Sequence, residues 1–209
     1  MVKKFKILEE PIPRLFLCRH GHTDLNGNSG TSVDKIRGWA NVPLNDEGRE
    51  DANKARQKLL QLSVKPNKMY VSNLDRTIET AAIINKSFNI PMEETINLRP
   101  WDLGELTGKE SLKVKPQMDY FVANPDMVVP KGESFNNFKY RYLGFLEKVI
   151  LEVQKNKSTI LLVTHFRDVK MAEAWVKAGM KADLSVDDDT MNKNDVEPGD
   201  VLEIPLQSR

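Results

Sequence analysis

The chain has 209 residues, enough to bury a core as one domain or at most two small ones. Its 31 Lys and Arg against 30 Asp and Glu leave a net charge of +1, which argues against the basic face that a broad nucleic-acid surface needs. A single cysteine excludes an internal disulfide and fits a reducing, cytoplasmic compartment, and no apolar run approaches the roughly 20 residues that span a bilayer, so no membrane contact is expected.

The start, MVKKFKILEEPIPR, carries charge but neither an apolar h-region nor a small-residue cleavage site, so no secretory signal is expected. RLFLC, residues 14–18, predicts a short apolar strand, with Cys18 a buried, inert thiol. The strand runs straight into Arg19, His20, Gly21 and His22. A polar turn is one reading; a strand that aims a reactive histidine and a phosphate-sized charge at one point is the other. Asn45 then caps a helix over NDEGREDANKARQKLLQL, with Asp46 and Glu47 at its positive end and Ala52, Ala55, Leu59 and Leu62 at helical spacing. KMYVS is a second strand, followed by a helix through Leu74, Ile78, Ala81 and Phe88.

The segment 99–134, rich in Pro, Gly and charge, breaks this rhythm and is expected as an insertion or lid within a single domain over 1–209. A strongly amphipathic helix follows, with Phe135, Phe138, Tyr142, Phe145 and Val149 on one stripe. STILLVT reads as a buried strand and RDVKMAEAWVKAG as a helix ending at Gly179. The acidic run VDDDTMNKND lacks the glycine and the terminal glutamate of a calcium loop and is expected as a solvated loop. DVLEIPL closes the pattern as an edge strand, its proline barred from a central ladder.

Alternation of strand and helix predicts an α/β fold, a mostly parallel sheet with helices on both faces. In such sheets the site lies outside the carboxyl ends of the strands. There Arg19 and His20, Ser72, and Thr164 and His165 converge from three strands. A neutral imidazole can attack phosphorus, and neighbouring guanidinium charge keeps it neutral while gripping the phosphoryl oxygens in a matching planar fork. Gly21 would let the backbone pass close to the bound group. Arg76 opens a helix, where an anion is attracted, although a surface pairing with Asp75 or Glu79 fits the segment taken alone. Likewise His165, where a buried strand meets a helix, could be a satisfied structural histidine.

Taken together, RHGHTDLN, VSNLDRTIETA, GES and LLVTHFR resemble, in order and spacing, the signatures of the histidine phosphatase superfamily, also called phosphoglycerate mutase-like. GWANVPLNDEGREDA resembles the segment after that family's first motif, and the resemblance runs from about residue 14 to 205. It implies a three-layer sandwich and a phosphohistidine on His20, with Arg19, Arg76 and His165 around the phosphate. Thr23 and Asn26 stand where the family places further donors to phosphate oxygens. Ser134 would cap the long third helix, and Glu133 would hold the site's histidine or arginine, or be a plain first-turn acid. Side-chain cations would take the place of magnesium, so neither a metal nor another cofactor is expected.

The chain departs from the pattern in four places. Where most active members carry a proton-donating glutamate, LRPWDLGELTG has Pro100; Asp102 is the nearest substitute and Glu105 the next, and Asp102 is also a natural turn residue within PWDLG. Phe166 replaces the usual glycine after the second histidine, and Arg167 beyond it could contact phosphate, reach a second substrate anion, or sit on the surface. The loop GNSGTSVDKIRGW is long, and its Arg37 could touch substrate. His22 stands where the family often has a polar residue and suggests a substrate-side role; with three histidines in all, no common zinc spacing appears.

The expected function is a metal-independent phosphatase acting on a small phosphorylated metabolite. Mutase chemistry and a phospho-ligand binding module are the alternatives. Pro100 and the short stretch from Gly108 to Gly132 favour hydrolysis over the mutase. Neither the natural substrate nor the oligomeric state is specified by the sequence.

Overall fold

The computed structural model describes residues 12–27, 33–193 and 195–206. The expectation about a signal at the N-terminus therefore falls largely outside the described residues, as does the middle of the loop at 27–39. Five strands form one sheet: β1 (Arg14–Arg19), β2 (Lys68–Ser72), β3 (Met92–Thr95), β4 (Thr159–Thr164) and β5 (Val201–Ile204), in the order β3-β2-β4-β1-β5. All neighbours run parallel except β5, which lies antiparallel to β1. The mostly parallel α/β sheet expected above is thus the observed one. β5 takes an edge and ends at Ile204, immediately before Pro205, because a residue without an N–H cannot extend the ladder.

Strand alternation explains why the central strands read as continuous apolar runs. Leu15, Leu17, Ile160 and Leu162 face one core, which contains Phe138, Tyr142 and Leu146 of α4 (Phe135–Asn156) and Val169 and Ala172 of α5 (Phe166–Lys177). Phe16, Cys18, Leu161 and Val163 face the other, with Ala55 and Leu59 of α1 (Asp46–Gln61) and Ala81 and Ile84 of α2 (Asp75–Asn85). Both faces are covered, so neither can be polar. Cys18 is fully buried, and burial followed by the Asp200 charge pushes its thiol up to about 12.

The expected caps hold these helices in place. Asn45 Oδ1 accepts from Gly48 N–H at 2.9 Å, and Ser134 Oγ accepts from Asn137 N–H at 3.1 Å. α5 gives way at Ala178 to Gly179 in the left-handed region, the usual glycine stop. Leu62, by contrast, is the exposed C-cap of α1 rather than part of its buried stripe. Phe88 lies beyond α2, which stops at Asn85: the Asn85 side chain donates to and accepts from the backbone of Ile90 and turns the chain into β3.

Three elements depart from the sequence reading. β3 was not expected; only its outer residues are half-buried, so it lacks the apolar signal. Within the expected insertion lies α3 (Ser111–Ala123), whose sole buried residue is Val114 and which therefore shows no stripe despite being helical. The acidic run expected as solvated loop contains a short helix, α6 (Asp188–Met191), capped by Asp187 and burying Thr190 and Met191. No helix among the described residues is long and apolar enough to cross a membrane.

One acid sits inside the α4–α5 core. Asp168, in the first turn of α5, is fully buried, and neither carboxylate oxygen has a hydrogen-bond partner. Burial pushes its pKa well above the ordinary value, with the Arg141 charge the main opposing influence. A folded-state pKa above the unfolded one means that Asp168 keeps its proton to a higher pH in the fold than in the unfolded chain, so its destabilising effect grows as pH climbs from about 4, the unfolded value, towards the folded one. Asp168→Asn should therefore match wild type in thermal stability near pH 4 and exceed it increasingly towards pH 7, by on the order of 1 kcal/mol or more. A difference that stays constant across that range in melting scans would mean the carboxyl is not carrying a raised pKa.

Candidate active site

His20 leaves the end of β1 with its N–H donating to the carbonyl of Thr164, the last residue of β4, at 2.9 Å. Its Nδ1 lies 2.7 Å from the Gly21 carbonyl oxygen. A carbonyl can only accept, so Nδ1 carries the hydrogen and the lone pair sits on Nε2. The imidazole is buried yet lines a cavity of about 940 Å³. Burial first, then the charges of Arg76, Arg19 and Arg37, hold its pKa well below the ordinary histidine value, which favours the neutral ring.

Gly21 does not make room for a bound group. A Cβ there would overlap the carbonyl of Gly48, and one on Gly48 would overlap the carbonyl of His22. The two glycines let the loop after β1 press against the first turn of α1, which fixes the backbone that carries His20.

Arg76 comes from the first turn of α2 and is 1% exposed. Its Nη1 and Nη2 donate to the carbonyls of Ala40 and Gly38 at 2.8 and 2.9 Å, and its Nε to His165 Nδ1 at 3.3 Å. Among the described residues no carboxylate is bonded to it; burial, then Arg37, lowers its pKa to about 9. The surface pairing with Glu79 does not form, because Glu79 is engaged by Arg49 at 2.7 Å. Since Nδ1 of His165 accepts from Arg76, its proton is on Nε2, which donates to Ser72 Oγ at 2.8 Å. The rings of His20 and His165 are 5.1 Å apart at 66°. The three strand ends thus do bring His20, Ser72 and His165 together.

Arg37 also reaches the site: it lines the cavity, and its charge acts on His20, Arg19, Arg76 and His165. Its Nη1 donates to Asp34 Oδ1 at 3.2 Å. Arg19 stands differently. Its guanidinium lies over the Phe166 ring at 5.1 Å and donates to the Val196 carbonyl, and it does not line the cavity. Burial, then Arg37, lowers its pKa to about 10, so it acts on His20 as a nearby charge.

The remaining candidates divide. Arg167 lines the cavity. Thr23 and Asn26 do not: the backbone N–H and Oγ1 of Thr23 both donate to Asn26 Oδ1 at 2.9 Å, tying the loop after His20 into a turn. His22 Nδ1 is 2.6 Å from Asp51 Oδ2, away from the cavity, so the substrate-side role does not follow from its position. Pro100 lines the cavity, but Asp102 does not; Asp102 Oδ1 accepts from Gly104 N–H at 3.1 Å, the turn role its sequence context allowed. Glu105 pairs with Lys131 at 2.9 Å. Glu133 is bonded instead to Arg141, which does not line the cavity, at 2.6 Å, and accepts from the Asp102 N–H at 3.0 Å.

Sequence reasoning missed that Arg141. Its guanidinium donates to the carbonyls of Ile96, Asn97, Arg99 and Pro100, while Trp39 Nε1 donates to the Pro100 carbonyl at 2.7 Å. These bonds pin the strip that leads into the cavity wall at Pro100 and Trp101. Asp34 was also missed: it lines the cavity, holds Arg37, and accepts from Ser111 Oγ at the start of α3. Set among charged loop residues, it had no periodic signal. Among the described residues no group of three His, Cys, Asp or Glu side chains is arranged to hold a metal ion.

The chain matches a family model for the histidine phosphatase superfamily, branch 1, over residues 15–184. It is 28% identical over 171 residues to a broad-specificity phosphatase of Saccharomyces cerevisiae, covering 79% of this chain and 71% of that protein. It is 36% identical over 100 residues to a 2,3-bisphosphoglycerate-dependent phosphoglycerate mutase of an Arthrobacter species, but spans only 38% of that relative and 46% of this chain. Among solved structures, a mycobacterial glucosyl-3-phosphoglycerate phosphatase complexed with VO3 shares the fold at a TM-score of 0.68 and 21% identity, over 91% of this chain and 92% of the other. A phosphoglycerate mutase from Thermus thermophilus does so at 0.65 and 22%, over 91% of each chain. By the span of the family match and the fold it shares, the chain belongs to the histidine phosphatase superfamily.

Proposed function

We propose that the protein is a phosphatase that passes the phosphoryl group of a small phosphomonoester to Nε2 of His20 and then to water. The observation that carries this reading is the tautomer: Nδ1–H is committed to the Gly21 carbonyl, which leaves a lone pair on the nitrogen free to attack. In the first step the Nε2–P bond forms as the ester P–O bond breaks, and the leaving oxygen takes up a proton from water. In the second, water attacks phosphorus, the P–N bond breaks, and the water gives up a proton to the medium.

Arg76 and Arg37 balance the charge on the phosphoryl oxygens, which is most of what phosphoryl transfer asks of a protein. With guanidinium groups in that place the reaction needs no metal. His165 supplies a further donor when its Nε2–H turns from Ser72 Oγ to a phosphoryl oxygen, and Ser72 holds that hydrogen between turnovers. Arg19 lends charge from behind. The segment 99–134 acts as a lid within a single domain, since Trp101, Leu103, Met118 and Val122 from it wall the cavity. A mutase must also hold its product for a second transfer, and the absence of a carboxyl at Pro100 favours hydrolysis.

His20→Ala should abolish turnover of p-nitrophenyl phosphate in EDTA while leaving phosphate binding measurable; labelled phosphoryl group trapped on any other residue would remove His20 from its role. Arg76→Ala should lower kcat/KM by on the order of 10²-fold or more, as loss of a transition-state donor does, and a loss below tenfold in steady-state assays would argue that Arg76 is structural. Asp102→Asn keeps an acceptor for Gly104 N–H, so it should change aryl and alkyl phosphate rates by the same factor. Selective loss of the alkyl esters, whose leaving oxygen needs a proton, would restore Asp102 as the general acid.

A further inference from the structure

The cavity is far larger than its phosphate end. Its volume of about 940 Å³ lies near the top of the roughly 300–1,000 Å³ that holds drug-sized ligands. Away from His20, Arg37 and Arg76, the wall combines an apolar and aromatic part, which includes Trp101, Leu103, Phe135, Phe166 and Met191, with charged side chains. A phosphorylated triose offers nothing to cover such a surface, whereas a ligand that removes it from water gains about 25 cal/mol per Å².

Set in this wall is Arg167, in the first turn of α5. It is half-buried, and burial is the main cause lowering its pKa; the Asp119 and Asp168 charges oppose this, yet neither carboxylate forms an ion pair with it. Asp119 is instead bonded to Lys115 at 2.6 Å. A guanidinium withdrawn from water without a bonded carboxylate is short of a counter-charge, and its planar fork suits a carboxylate or phosphate. Phe166, between His165 and Arg167 in the chain, also lines the cavity. The adjoining carboxylates on the wall, Asp119 and Asp188, are offset by Lys115, Arg167 and Lys193.

We infer that the substrate is an amphiphilic phosphomonoester, with an apolar or aromatic body against Trp101, Phe135 and Phe166 and a second anionic group held by Arg167. This rests on the proposed function only in taking the His20 end as the phosphate end. The test uses ligands that need no turnover: benzylphosphonate, and the same compound bearing a carboxylate on para spacers of two, four or six carbons, titrated calorimetrically into the whole chain. In wild type at least one carboxylated ligand should bind roughly tenfold more tightly than benzylphosphonate, the gain expected of one charge-assisted pair. In Arg167→Gln that ratio should fall below about two, and Arg167→Lys should restore part of it.

No carboxylate advantage at any spacer length, or an advantage that survives in Arg167→Gln, overturns the inference. So does preference for a matched ligand ending in an ammonium group, which would assign the wall to Asp119 and Asp188. Hydrolysis of p-nitrophenyl phosphate, run in parallel on wild type and His20→Ala, separates this from the phosphatase reading. If turnover depends on His20 while the carboxylate gives no gain, only the substrate class is wrong.

Discussion

Everything at this site follows from burying several guanidinium groups together with no carboxylate of the described residues bonded to Arg76. Among the described residues Arg76 bonds to the carbonyls of Gly38 and Ala40 and one nitrogen of His165, and Arg19 to the Val196 carbonyl and an aromatic face. Like charges close together out of water repel, and the energy that holds them there comes from the rest of the fold. What relieves the repulsion is an anion. Burial first, and then this cationic field, keep two buried imidazoles neutral, so under the proposed function one arrangement would both attract a phosphate and leave its attacker unprotonated.

Holding that arrangement open is the work of the backbone. The close approach of Gly21 and Gly48 fixes the turn that carries His20, and the Nδ1 bond to the Gly21 carbonyl orients its ring. The opposite wall is clamped by Arg141, which gathers four carbonyls from Ile96 to Pro100 and is itself held by Glu133. In the proposed reaction such preorganisation would leave little to move as charge develops on the phosphoryl oxygens. The loop that brings Arg37 is joined to the start of α3 by Asp34 and Ser111, so the His20 end of the cavity and the segment 99–134 share a seam.

The carboxylates show how sequence context can mislead. Asp102 lies two residues beyond the family's acid position, which made it the nearest substitute donor, yet its oxygen accepts from the Gly104 N–H in a turn. Asp168 drew no notice because it lies in an amphipathic helix next to Arg167, yet it is fully buried. Both outcomes depend on where a side chain points after the chain has folded.

Alternating apolar runs and helical stripes determined the α/β order, the capping residues Asn45 and Ser134, the edge position of the last strand and the three strand ends where His20, Ser72 and His165 meet. Those signals are local: burial on both faces of a strand or one face of a helix writes itself into neighbouring residues. Only the tertiary structure decided that Arg37 joins the site while Thr23, Asn26, His22 and Asp102 turn to bonds elsewhere, and that α3 and α6 are helical. Each of these depends on contacts between segments distant in the chain, where a polar side chain takes the partner that packing leaves within reach, and no spacing in the sequence records that choice.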